Sequence, residues 1–93
     1  MPAGHIRRID IAGVSYTRRE APDDLAHVRA VDTLRASDTP RGRRIVAALV
    51  VLEGVLGSGA LNELLDRIDD EADPLDWPEL LTAARDLTGP RTP

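Results

Sequence analysis

The chain of 93 residues contains no cysteine, no phenylalanine and no lysine, and its aromatics are limited to Tyr16 and Trp77. Without cysteine there is no disulfide, no thiol nucleophile and no thiolate-ligated zinc or iron–sulfur site, while the redox compartment stays open. With two aromatics, any core must be assembled from Leu, Val, Ile and Ala. All twelve basic residues are arginine, which beside the abundant Ala, Gly, Pro and Asp reads as the coding bias of a GC-rich genome. No apolar signal region opens the chain, since Met1 to Asp10 is charged and mixed, so the expected location is the cytoplasm. A chain of this length makes one domain, 1–93, with a modest core and a small buried fraction, so association is favoured.

What charge there is lies unevenly. Residues 1–44 carry nine Arg against six acids, and residues 45–93 carry three Arg against ten acids, for a net charge of −4 overall. An acidic balance disfavours general affinity for nucleic acid or anionic membranes, although a local basic patch can still act.

The chain is organised around Ile45 to Leu56, IVAALVVLEGVL, interrupted only by Glu53 and Gly54. Twelve residues exceed the usual strand, and Ala47, Ala48, Leu49 and Leu52 are strong helix formers, so the spacing predicts a helix over 40–56 with Thr39 as N-cap and Pro40 at its first position. A membrane span needs ~20 apolar residues and leaves no room for Glu53 or the nearby arginines. On a helix, Ile45, Ala48, Leu49, Leu52 and Leu56 share one face. Val46, Ala47, Val50, Val51 and Gly54 line the other, and a helix apolar on both sides must be covered on both. The cover comes from a second layer of the chain, a second copy or a foreign partner. The candidate partner face is therefore Val46, Val50, Val51, Gly54 and Val55.

The other elements follow from pattern. Residues 6–19 alternate as two strands about Ala12-Gly13, a two-residue turn, and predict a β-hairpin that must pack on helices. Pro22-Asp23-Asp24 opens a helix over 23–36 with Leu25, Val28, Val31 and Leu34 at near-helical spacing. Gly57-Ser58-Gly59 makes a turn before a helix over 60–69, whose Leu61, Leu64, Leu65 and Ile68 face inward. Asp69 to Pro74 is a polar loop. Asp76 to Glu79 is a capping box that starts a last helix over 77–88, with Leu80, Leu81, Ala84 and Leu87 as its stripe and Trp77 anchoring it to the central helix. Gly89 and Pro90 stop that helix, and 90–93 is a frayed tail. The expected class is α+β, mainly α: an N-terminal hairpin packed on a bundle of three to four helices.

The chemistry-bearing candidates are few. Asp69, Glu71 and Asp73 alternate like calcium ligands, but Pro74 and Leu80 stand where such a loop needs Gly and a bidentate Glu, so no metal is expected. His27 has no partner in sequence, and His5 is too remote to assume as one. Pro40-Arg41-Gly42-Arg43 resembles an AT-hook core, in which an extended Arg-Gly-Arg lies in a narrow minor groove. Arg41, Arg43 and Arg44 are thus the candidate nucleic-acid contacts, set against the simpler reading that they pair with the acidic half of the chain. No catalytic constellation and no cofactor motif is present, so no enzymatic activity and no cofactor are expected.

Three stretches together resemble a known family. The form I-x-I-x-G-x-x-Y at Ile9 to Tyr16, L-E-x-x-L-G at Leu52 to Gly57, and D-P-L-D-x-x-E-L at Asp73 to Leu80 follow the order found in the small tail assembly chaperones of long-tailed bacteriophages of actinobacteria. The resemblance covers roughly residues 6–89, and departs from the family at Ser58-Gly59-Ala60-Leu61, where a polar pair and an aromatic are usual. It implies a non-enzymatic protein that coats the helical tape measure protein in the host cytoplasm until tail tube subunits replace it. A small DNA-binding regulator and a self-associating dimeric scaffold are the competing expectations.

Overall fold

A computed structural model describes residues 7–88. Strands β1 (Arg7–Ile11) and β2 (Val14–Arg18) precede helices α1 (Leu25–Arg35), α2 (Arg41–Leu56), α3 (Ser58–Asp69) and α4 (Trp77–Leu87). This is the α+β, mainly helical arrangement that the pattern predicts. The expected stop at Gly89-Pro90, the tail at 90–93, His5 and Ile6 lie outside the described residues.

The two strands pair antiparallel, with Ile11 opposite Val14, so Ala12 and Gly13 alone make the turn. Both have positive φ, 48° at Ala12 and 87° at Gly13, the combination that matches the right-handed twist of the strands. Across the ladder Ser15 donates to Asp10. One face of the hairpin buries Ile11 and Tyr16 against the helices, which is what a two-stranded ribbon requires for stability. A backbone hydrogen bond of 2.8 Å from the Arg19 amide to the Val55 carbonyl then fastens the hairpin's exit to α2.

The central helix is covered by its own chain. Helices α1, α3 and α4 and strand β2 all pack on α2. Its buried residues are Ala47, Ala48, Val51, Leu52, Val55 and Leu56, which meet Leu64 of α3, Leu80 and Ala84 of α4, and Ile11 of β1 in one cluster. Each fully buried aliphatic side chain contributes about 1.5–3 kcal/mol relative to leaving it in water. The two faces expected from the sequence are thus cut differently. Val51 and Val55 belong to the core, whereas Ile45 and Leu49 are only half-buried, because the hairpin and α4 approach from one side and α1 from the next, and together they cover one broad arc.

Helix boundaries shift where loop chemistry intervenes. Pro40, not Thr39, is the N-cap of α2, and no side chain caps that end. Thr39 instead donates its hydroxyl back to the Thr33 carbonyl at 3.1 Å. Gly57 joins α2 to α3 alone, at φ +94°, a backbone state that glycine adopts without a Cβ penalty. That is why α3 starts at Ser58 rather than at residue 60. Asp24 caps α1 by accepting from the His27 amide, and Asp76 caps α4 by accepting from the Glu79 amide.

On α1 the buried residues are His27, Ala30 and Leu34, while Leu25 and Val28 are exposed. The expected Leu25–Val28–Val31–Leu34 stripe fails because a strict three-residue repeat falls behind the 3.6-residue turn and spirals off the face. Trp77 is half-buried and packs on the margin of the core.

Candidate functional site

Helices α1 and α2 pack closely but do not close. Ala26, Arg29, Ala30 and Thr33 of α1 face Gly42, Arg43, Val46, Ala47 and Val50 of α2, with Pro40 at one end, around an open groove of about 590 Å³. The spacing on each helix is the i, i+3, i+4, i+7 row of one face. Small side chains make the depression: three alanines and a glycine stand where larger residues would fill the space between the helices. The rows on α1 run two turns, about 10 Å at 1.5 Å per residue. No carboxylate lines the groove, and the arginines at its rim, Arg29 and Arg43, have no ion pair among the described residues.

The candidate partner residues divide three ways. Val46, 62% exposed, and Val50, half-buried, line the groove. Val51 and Val55, at 0% and 2%, are core and cannot present a surface without unfolding. Gly54 is closed over: a Cβ there would stand 2.9 Å from both the Pro22 ring and His27 Nδ1. The reason is the width of the covered arc on α2, on which residues 51 and 55 lie next to the buried Ala48 and Leu52.

The arginine cluster is also divided. Arg41, Gly42, Arg43 and Arg44 form the first turn of α2, so the extended Arg-Gly-Arg on which the minor-groove reading depends is absent, and the helix sends the side chains to different sides. Arg43 reaches the groove, while Arg41 and Arg44 line a separate cavity with Arg85. Nor do these arginines pair with the acidic half of the chain: the ion pair found among the described residues is Arg67–Asp73.

That pair is the feature the sequence concealed. Arg67 is buried, and its guanidinium makes four contacts: Nε to Asp73 at 2.9 Å, Nη1 to the Ile11 carbonyl at 2.9 Å and to the Tyr16 hydroxyl at 3.0 Å, and Nη2 to the Ala12 carbonyl at 2.8 Å. Helix α3, the acidic loop and the hairpin turn meet on this one side chain. The hydrogen bond to Asp73 holds the guanidinium even more firmly protonated than usual. The Arg67 guanidinium, and then the Leu75 amide, hold the Asp73 carboxyl below its ordinary value. Burial pushes the Tyr16 hydroxyl up. The C-terminus of α4 receives two arginines in the same manner, for Arg35 donates twice to the Thr88 carbonyl, at 2.6 and 3.1 Å, and Arg18 reaches the Leu87 carbonyl at 3.4 Å, where cations complement the helix dipole.

The acidic residues after α3 act as loop staples. Asp70 accepts from the Ala72 amide and Asp73 from the Leu75 amide, each at 3.0 Å. Among the described residues no three His, Asp or Glu side chains group as a metal site, and no helix is long and apolar enough to cross a membrane. His27 is buried with Nδ1 unpartnered, facing Gly54 across the α1–α2 contact.

Comparison with family models, with curated proteins and with solved structures finds no match to this chain.

Proposed function

We propose that the chain is a non-enzymatic tail assembly chaperone, holding a helical segment of the tape measure protein in the α1–α2 groove until tail tube subunits take its place. The observation that carries this reading is the groove itself, an apolar lining of Val46, Val50, Ala26 and Ala30 between two arginines that have no ion pair among the described residues. Its shape and length fit about two turns of an amphipathic helix, laid with apolar anchors down. The rim fixes the client's charge: acidic residues flanking the apolar stripe would pair with Arg29 and Arg43, while an overall charge of −4 keeps client-loaded molecules apart. The order of the Ile9–Tyr16, Leu52–Gly57 and Asp73–Leu80 stretches supports the same assignment by resemblance.

Co-expression with the tape measure protein encoded by the neighbouring gene tests this. The wild-type chain is expected to keep the client in the supernatant, and Val46→Asp with Val50→Asp to release it to the pellet while the variant itself remains folded. Absence of a neighbouring tape measure gene would contradict the assignment. So would client capture undiminished by the two substitutions. A concentration-dependent dimer abolished by Val46→Asp would give the groove to a second copy instead.

A further inference from the structure

The second cavity lies on a different side of α2 from the client groove and has a different chemistry. It measures about 500 Å³ and is walled by Leu34 and Ala36 at the end of α1, Ser37 and Thr39 of the connection, Arg41 and Arg44 of α2, and Pro78, Leu81, Thr82 and Arg85 of α4. Three arginines from two helices line one space, and no carboxylate lines it. The nearest acids in sequence, Asp38 and Asp86, are exposed and not among its walls. Arg41, Arg44 and Arg85 have no ion pair among the described residues, and Arg44 Nε is sealed from water with no hydrogen-bond partner. Burial without a partner makes the Arg44 side chain costly to hold, and its lining of this cavity leaves the guanidinium charge without a counter-charge there. Helix α2 also begins beside this space with no side-chain cap, so its first-turn amides have no side-chain acceptor.

We propose that this cavity is a binding site for a small oxyanion, a phosphate or carboxylate group, held by Arg41, Arg44 and Arg85, with Leu34, Leu81 and Pro78 receiving an apolar substituent. General attraction does not explain it, because the molecule as a whole is anionic. Three arginines share the lining of one cavity without a counter-charge, and the planar guanidinium fork is the donor suited to two oxygens of one group. The hydroxyls of Ser37, Thr39 and Thr82 stand on the same walls; Thr39 and Thr82 already donate to the Thr33 and Pro78 carbonyls, which leaves Ser37 to donate to the anion.

The test is thermal unfolding and calorimetric titration of the whole chain with inorganic phosphate and with butyl phosphate, each against sodium chloride of equal ionic strength. A specific site raises the unfolding temperature with phosphate and not with chloride, since a ligand bound only by the folded state stabilises it, and butyl phosphate binds more tightly than phosphate. Arg44→Gln is expected to weaken phosphate by about tenfold to a hundredfold, the range for losing one charge-assisted hydrogen bond. Arg85→Gln, on the other helix, gives the same loss and guards against a folding defect at position 44. Arg29→Gln, at the client groove, leaves phosphate binding unchanged. Equal responses to phosphate and chloride would overturn the proposal, as would weakening by Arg29→Gln as large as by Arg85→Gln.

Discussion

The junction around Arg67 and the junction between α1 and α2 both set arginine beside a helix-packing contact, and they are opposite in character. At the first, every guanidinium contact is a protein acceptor, and the side chain is enclosed by the hairpin turn, α3 and the acidic loop. At the second, Arg29 and Arg43 stand at the rim of an apolar groove and are paired with nothing described. The difference teaches which arginines hold the fold and which are free to hold something else. A buried arginine with four acceptors is costly to remove, because its loss strands two backbone carbonyls, a tyrosine hydroxyl and a carboxylate at once. A rim arginine over small apolar side chains contributes little to stability and much to what can dock there.

The largest effect expected from breaking this contrast is at position 67. Arg67→Met leaves the Ile11 and Ala12 carbonyls and the Tyr16 hydroxyl without their donor, and a loss of about 3–5 kcal/mol is expected, the range for removing one partner of a buried charged network. That is a large share of the ~5–15 kcal/mol that holds a domain. Urea unfolding measures it, and amide exchange should speed first in β1 and β2. Arg43→Met, by contrast, should change stability by less than about 0.5 kcal/mol, as surface substitutions do. A comparable loss at both positions would erase the distinction.

A smaller effect separates two glycines of α2. Gly54→Ala drives a methyl to 2.9 Å from Pro22 and His27, and the overpacking, about 1–3 kcal/mol, exceeds the ~1 kcal/mol that alanine gains over glycine in a helix. Gly42→Ala meets nothing within 4 Å and should be neutral or stabilising. Thermal midpoints that move down for the first and not for the second sharpen the line between closed and open sides.

The mildest probe is pH. The Asp73 carboxyl is depressed by Arg67 and the Leu75 amide, so its contribution is present above the unfolded carboxylate value, about 3.9, and is lost as pH falls through the lower folded value. Tyr16 is raised by burial, and its contribution is lost on the other limb, as pH climbs from about 10 toward the higher folded value. Unfolding midpoints across pH should therefore hold level between these limits and fall outside them. In Arg67→Met the acid limb should flatten, since the main cause of the Asp73 depression is gone.

Much of this fold is legible in the sequence, and the illegible parts share a cause. The hairpin is readable down to its turn at Ala12-Gly13, because period-two alternation and a glycine fix register together. The four helices are readable from apolar spacing and the start of α4 from Asp76, whose cap depends on neighbouring residues alone, whereas Asp23 and Asp24, read as the first turn of a helix over 23–36, lie before α1, which Asp24 caps. What escapes is whatever depends on distant backbone. Arg67 sits beside Leu64 and Ile68 in a stripe where a charge reads as exposed, and two of its acceptors are carbonyls more than fifty residues away, which no residue type announces. The buried side of α1 escapes because Ala30 and His27 carry a weaker apolar signal than the exposed Leu25 and Val28. The groove escapes for the same reason in reverse, since it is made by what Ala26, Ala30, Gly42 and Ala47 lack. Val51 and Val55 therefore looked equivalent to Val46 and Val50 until the hairpin and α4 were placed.

Helix α2 has one open side and one closed side within little more than a turn of helix, and parallel urea titrations of Val46→Asp and Val51→Asp test this most directly. Val46→Asp is expected to unfold within about 0.5 kcal/mol of wild type, its carboxylate remaining in water beside Arg29 and Arg43. Val51→Asp, which buries an unpaired charge at a site with no exposed surface, is expected to lose several kcal/mol and to be largely unfolded without denaturant. Midpoints that fall together would contradict the open side of α2, for they would mean that the groove is part of the core.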